Sequence, residues 1–198
     1  FPILRKYDVQ ATFFVVSNMI QEDEARSDVG HKLYGNKSMM NRQQIFELAR
    51  AGMEIGSHTR NHINVCSTLA HSRNEARDEL AGSREELETI AQQPVVSFAY
   101  PNGQKGVFNA NTKSLLINAG YRHAATTIWG YLNKRTDAFE IPRMEMRPDD
   151  NNSVFQTKIS GKYDFMRLVH LCRNGSKRWG QDLSEQEGTS RCISESAH

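Results

Sequence analysis

The chain has 198 residues, 25 of them basic and 23 acidic, a net charge of +2 and 38% hydrophobic residues, which suits one domain with a substantial core. The two charge signs are well mixed, so there is no basic stripe of the kind that tracks a phosphate backbone, and nucleic acid is not an expected partner. The three cysteines, Cys66, Cys172 and Cys192, form no Cys-x-x-Cys pair and argue against a disulfide framework or a cysteine zinc site, and no apolar run reaches the length of a membrane span.

In chain order, residues 1 to 7 (FPILRKY) read as the end of an amphipathic helix. Val9 to Val16 is a β-branched and aromatic run suited to a strand covered on both faces, which points to a parallel sheet. Residues 17 to 40 are polar and hold Gly30 and Gly35, a long connection of the sort that serves as a lid or excursion. Asn41 is placed to cap a helix with Ile45, Phe46, Leu48 and Ala49 on one face and Gly52 at its end. A short strand through Met53 and Ile55 then runs into Gly56-Ser57 and delivers His58 and His62 to the turn beyond.

Leu69, Ala76, Leu80, Leu87 and Ile90 predict one long exposed helix from Leu69 to Ala91, stopped by Pro94. Val95 to Tyr100 reads as a buried strand closed by Pro101-Asn102-Gly103. Phe108 to Ala119 reads as a helix with Gly120 at its C-cap. Tyr121 to Thr127 reads as a strand ending at Trp129-Gly130, and Phe139 to Met146 as another, broken by Pro142. Residues 151 to 159 and 163 to 172 pattern as helices. Beyond Arg173 the composition turns polar, so 1–172 is expected to be the domain and 173–198 a poorly ordered tail.

The alternation of strands and helices describes an α/β domain of crossover units, in which ligands bind beyond the carboxyl ends of the strands. Residues 57–62, 100–103 and 127–129 all fall at that edge. If the turn carrying His58 and His62 is helical, their rings share one face and make half of a zinc site, which typically takes three protein ligands and one open position. A histidine pair at this spacing also serves in surface or capping roles.

Ala11-Thr12-Phe13-Phe14-Val15, then Glu54-Ile55-Gly56-Ser57-His58-Thr59-Arg60-Asn61-His62, then Phe98-Ala99-Tyr100-Pro101-Asn102-Gly103, then Ala119-Gly120-Tyr121 with Thr126-Thr127 together resemble the polysaccharide deacetylases with the NodB homology domain, carbohydrate esterase family 4. The likeness runs in order from residue 1 to about residue 170. It implies a distorted (β/α) barrel that removes acetyl groups from N-acetylated sugars with a divalent metal, usually zinc, held by one Asp and two His. The matching histidines are His58 and His62. The family's Asp ligand and Asp base sit in a Thr-Phe-Asp-Asp-Gly motif on a strand expected just upstream of Phe1, so the resemblance implies an N-terminally truncated chain whose two decisive carboxylates cannot be named.

In such a centre the pKa of a bound water falls toward ~7 and a carboxylate takes its proton. The turn after the third strand supplies a donor to the oxyanion, whose loss typically costs about 10²-fold or more in rate. By alignment with the family that donor is the Asn102 N–H, with Pro101 beside it. Tyr100, Trp129 and Thr59 are the candidate substrate contacts, a core role being the alternative for each aromatic ring. Arg143 is placed to reach the rim or to form a surface ion pair. Ala99 stands where many members carry an Arg, as in the poly-N-acetylglucosamine deacetylase branch. Leu168-Val169-His170 has the letters of the family's late Leu-x-His motif but lies in a helix-like segment, and His123 lies within a strand, so both histidines read as structural. The expected partner is a cell-envelope or extracellular polysaccharide. The alternative is a carbohydrate-binding member without turnover. A zincin peptidase is disfavoured, because Thr59, not Glu, follows His58.

Overall fold

The computed structural model describes residues 1–21 and 39–162. The helix expected over 163 to 172, the tail from 173 to 198, His170, Cys172, Cys192 and most of the connection after residue 21 lie outside the described residues. The chain divides into two compact units, Phe1–Arg143 and Met144–His198.

In the first unit a short helix, α1 (Pro2–Lys6), leads into β1 (Thr12–Val15) and a single 3₁₀ turn over Ser17–Met19. Helix α2 (Arg42–Arg50) follows, then β2 (Glu54–Ser57), helices α3 (Val65–His71) and α4 (Arg73–Ala91), β3 (Ser97–Ala99), α5 (Ala110–Asn118) and β4 (His123–Ala125). Asn41 caps α2 as expected: its side chain accepts from the Gln44 N–H (2.8 Å) while the Gln44 side chain accepts from the Asn41 N–H (3.0 Å), a reciprocal box that satisfies two orphan donors.

The strands form a parallel sheet in the order β1-β2-β3-β4. Each strand is laid beside the last on the same side, as in a singly wound sheet, and the described strands leave that sheet open. Register pairs Val15 with Ser57, Ser57 with Phe98, and Ala99 with Ala125, so the carboxyl ends of all four strands lie at one rim.

Period-two alternation sorts the two faces. Ile55, Phe98 and Ala124 meet Ile45 of α2, Leu80 and Leu87 of α4 and Leu116 of α5, all 0% exposed, and each large side chain so buried contributes about 1.5–3 kcal/mol. The opposite face opens at its amino end with a polar chain. Thr12 Oγ1 donates to Glu54 Oε2 (2.5 Å), Ser97 Oγ donates to Glu54 Oε1, and Ser97 Oγ lies 3.3 Å from His123 Nε2. His123 is thus a structural group of the sheet, and the strands are not apolar on both faces.

Two expected elements differ. The helix predicted as one piece over Leu69–Ala91 is two, because Ser72 leaves the helical region (φ −148°) and its hydroxyl caps the second by accepting from Glu75 N–H (3.2 Å). The strand predicted over Phe139–Met146 reduces to a bridge of Ile141 with Ala125. Ile141 N–H donates to Ala124 O and Thr126 N–H donates to Ile141 O, but Pro142 has no N–H to continue the ladder.

In the second unit α6 (Asn152–Ile159) is capped by the Asn151 side chain, which accepts from Val154 N–H at 3.0 Å. Buried Lys158 ties it down by donating to Glu145 O (2.9 Å) and to the Asp150 carboxylate.

Candidate functional site

His58 follows β2 directly, and its N–H still donates to Val15 O across the sheet (2.9 Å). Its ring turns the other way, toward β3, where Nδ1 lies 2.7 Å from Ala99 O. A carbonyl oxygen only accepts, so Nδ1 carries the proton and the ring's remaining lone pair is on Nε2. Burial holds the His58 pKa down to about 4, the Ala99 bond opposing and the charges of His62 and Arg143 adding to the shift. Burial lowers the His62 pKa as well. Both rings are therefore neutral donors at pH 7. Their centroids are 4.9 Å apart with the planes at 70°.

The turn joining them is not helical, so the i,i+4 condition for sharing a helix face is not met, and the rings meet by another route. Thr59 (φ 67°) and His62 (φ 58°) both adopt the left-handed region, at a cost of roughly 1–2 kcal/mol per non-glycine residue. For a β-branched residue this conformation is a genuine outlier. Tertiary bonds hold it: Ser17 N–H donates to Thr59 O (3.3 Å), Asn18 N–H donates to Arg60 O (3.0 Å), and Ile63 N–H donates to Thr59 Oγ1 (3.3 Å). The amides of Arg60 and Asn61 donate to the carboxylate of Glu79 on α4, each at 3.0 Å. Sequence pattern did not single out Glu79.

The second segment of the rim is fastened to the third. Asn102 (φ 64°) and Gly103 (φ 61°) turn the chain after β3. Gly103 O accepts from Thr127 N–H (2.9 Å) and Asn102 O from Thr127 Oγ1 (2.7 Å). A Cβ on Gly103 would lie 2.6 Å from Thr127 N, so only glycine fits this close approach. The Asn102 N–H donates to no acceptor among the described residues. Pro101 ahead of it is buried.

Two of the candidate substrate contacts, Tyr100 and Thr59, are buried. Tyr100 is 1% exposed, stacked on Phe108 at 4.6 Å, with its hydroxyl donating to Phe139 O (3.1 Å). It is a core ring and offers no face to a sugar. Thr59 is 0% exposed and acts inside its loop. Trp129 is half-buried just beyond β4. Arg143 donates from Nε to Thr126 O (2.7 Å) and sits 5.8 Å from the Phe14 ring centroid, a cation–π contact in place of the surface ion pair.

Two neutral imidazoles, one with its far nitrogen pinned by a carbonyl, fit a borderline-soft divalent cation such as zinc. Among the described residues no group of three or more His, Cys, Asp or Glu could hold a metal. A cavity of about 690 Å³ lined by Phe1, Leu4, Phe46, Arg50 and Met53 contains neither histidine.

A model of the polysaccharide deacetylase family matches residues 1–124. YxkH of Bacillus subtilis (strain 168) is 24% identical over 159 residues, which cover 80% of this chain and 50% of that protein. Among solved structures, Streptococcus pyogenes deacetylase PplD in complex with acetate superimposes with a TM-score of 0.63 at 22% identity, covering 79% of this chain and 62% of that one. IcaB from Ammonifex degensii gives 0.61 at 22% identity, covering 80% and 64%. These structures share the fold, and the chain spans about half the length of the curated relative it matches.

Proposed function

The chain belongs to the polysaccharide deacetylase family, and from that premise we propose that it is a metal-dependent hydrolase removing N-acetyl groups from a polysaccharide of the N-acetylglucosamine type, at the cell envelope or outside the cell. One observation carries the reading: His58 donates Nδ1–H to Ala99 O with the His62 ring beside it. Metal-ligating histidines are typically oriented in this way, the far nitrogen donating to a carbonyl or carboxylate. His58 and His62 would hold the divalent cation, zinc by the chemistry of the donors. Bound there, it would supply Lewis acidity to the acetyl carbonyl and lower the pKa of a water.

Two further roles fall to groups of this chain. The Asn102 N–H, committed to no internal acceptor among the described residues, donates to the oxygen on which negative charge builds as the acetyl carbon becomes tetrahedral. Buried Pro101 and the Thr127 bonds to residues 102 and 103 keep that N–H from turning away. Trp129 flanks the sugar ring. Water adds to the acetyl carbon, the C–N bond breaks, and acetate and a free amine leave.

Acetate release from N-acetylglucosamine oligomers by the full natural protein in the presence of zinc, lost in His58→Ala, tests the proposal. One observation favours a second reading, a carbohydrate-binding member without turnover: no third metal-ligating side chain joins the pair among the described residues. Oligomer binding with zinc bound and no acetate released would decide for it.

A further inference from the structure

Between the two histidines lie Thr59, Arg60 and Asn61, and the middle of that span is gripped from α4 by one carboxylate. Glu79 is only 6% exposed. Its Oε2 accepts both the Arg60 and the Asn61 N–H (3.0 Å each), and its Oε1 accepts from Asn61 Nδ2 (2.5 Å). On the other side Asn61 Oδ1 accepts from Asn18 Nδ2 (2.8 Å). The Asn61 carboxamide is thus bonded at both ends, and since a carboxylate can only accept, its nitrogen must face Glu79 and its oxygen Asn18.

We infer that Glu79 is a positioning residue for the histidine pair: it fixes the centre of a loop whose two flanks, Thr59 and His62, stand in the left-handed region and would otherwise relax. The neighbouring surface of α4 supports the same segment. Gly82 leaves room for the Arg60 side chain, whose Cδ a Cβ there would meet at 3.1 Å, and Ser83 Oγ lies 2.9 Å from Ser57 Oγ at the end of β2. Three donors converge on one carboxylate, and the two main-chain amides share a single one of its oxygens. A carboxamide at 79 keeps an oxygen for those amides, and its NH₂ finds Asn61 Oδ1 when the Asn61 and Asn18 carboxamides turn over together, whereas an alanine there leaves both amides without an acceptor.

This inference rests on the reading of His58 and His62 as metal ligands, and its test separates the two. In the full chain, zinc affinity by competition titration, amide hydrogen exchange at residues 60 and 61 without metal, and melting temperature are compared across variants. Glu79→Ala is expected to weaken zinc binding at least ~10-fold, the scale of losing a group that orients a ligand, and to remove the protection of the two amides. Glu79→Gln restores both, because its carbonyl oxygen accepts from the two amides and the Asn61 and Asn18 carboxamides turn over together; a Gln as weak as the Ala would count against the inference. Asn61→Asp alone opposes two carboxylates and also weakens binding; tighter zinc there would count against the inference. Arg84→Ala, which cuts the bonds from α4 to Val95 O and Ala119 O, lowers the melting temperature and leaves zinc affinity alone. If His58→Ala abolishes binding while Glu79→Ala binds as wild type, the role of Glu79 is overturned and the metal reading stands. If His58→Ala changes nothing, the metal reading falls, and unchanged amide protection in Glu79→Ala overturns the role of Glu79 as well.

Discussion

The two ends of the same sheet each carry a histidine among polar partners, and they use it differently. At the amino end, His123 meets Ser97, Ser97 donates to Glu54, and Thr12 donates to Glu54 again. The chain runs along the sheet from strand to strand and ties together residues already in register. At the carboxyl end, His58 spends one nitrogen on a backbone carbonyl, lies beside a second imidazole, and stands next to a loop in a conformation its own residues disfavour. A histidine within a polar ladder stabilises the sheet. One held by its far nitrogen at a loop of imposed shape is preorganised for something that arrives later.

The largest effect expected from this contrast is on metal binding. His58→Ala or His62→Ala should raise the zinc dissociation constant by more than ~100-fold, beyond the range of losing an orienting group alone, whereas His123→Ala leaves zinc stoichiometry and affinity unchanged; equal losses at the two ends, measured by competition titration, would erase the distinction. Next comes pH. With its folded pKa near 4 against an ordinary value of 6.5, His58 binds fewer protons folded than unfolded between those limits, so metal-free stability falls as pH drops from about 6.5 to about 4. The loss is on the order of 3 kcal/mol. His62, also lowered, adds with the same sign, while Asp137 and Asp150, held below the usual carboxylate value of 3.8 by Lys113 and by hydrogen bonds from Arg147 and Lys158, act under that window. Urea titrations across it should show the slope in the native chain and a flatter one in His58→Gln.

Smaller is the effect of cutting the amino-end chain. Ser97→Ala removes the hydroxyl between Glu54 and His123 and should cost about 1–3 kcal/mol, the range for a buried polar group left without its partner. Zinc affinity should not change, and a coupled loss in both measurements would mean that the two ends are not independent.

Much of the frame was legible because it rests on local pattern. The apolar face of α2, the Asn41 cap, the strand through Ile55 and the three segments gathered at one rim follow from spacing and turn residues. The shape of the histidine loop was not legible. No propensity puts a β-branched Thr59 at positive φ, so i,i+4 spacing offered a shared helix face as one way for the rings to meet, where tertiary bonds impose two left-handed residues instead. The break at Ser72 was hidden because Leu69 and Ala76 keep the spacing of one face across it. Tyr100 shows the limit of letters alone, since an aromatic beside a rim motif reads the same whether its face is open or, as here, packed on Phe108. Glu79 left a faint signal. It falls among the acidic residues of α4 but lies on the stripe that carries Ala76, Leu80, Ser83 and Leu87, all buried, where a charge requires partners.

The smallest effect expected is the most discriminating for the rim. The proposed oxyanion donor is the main-chain N–H of Asn102, and the Asn102 side chain is exposed. Its φ of 64° is one that glycine adopts freely. Asn102→Gly therefore keeps the donor and relieves the turn, so kcat for acetate release should stay within about 2-fold of the native value and stability within a few tenths of a kcal/mol, glycine's greater loss of chain entropy offsetting the relief. Removing a true donor costs about 10²–10³-fold in kcat. A loss of that size in Asn102→Gly would transfer the role from the backbone to the carboxamide, and the rim would then resemble the amino end of the sheet, where side chains and not main chain make the contacts.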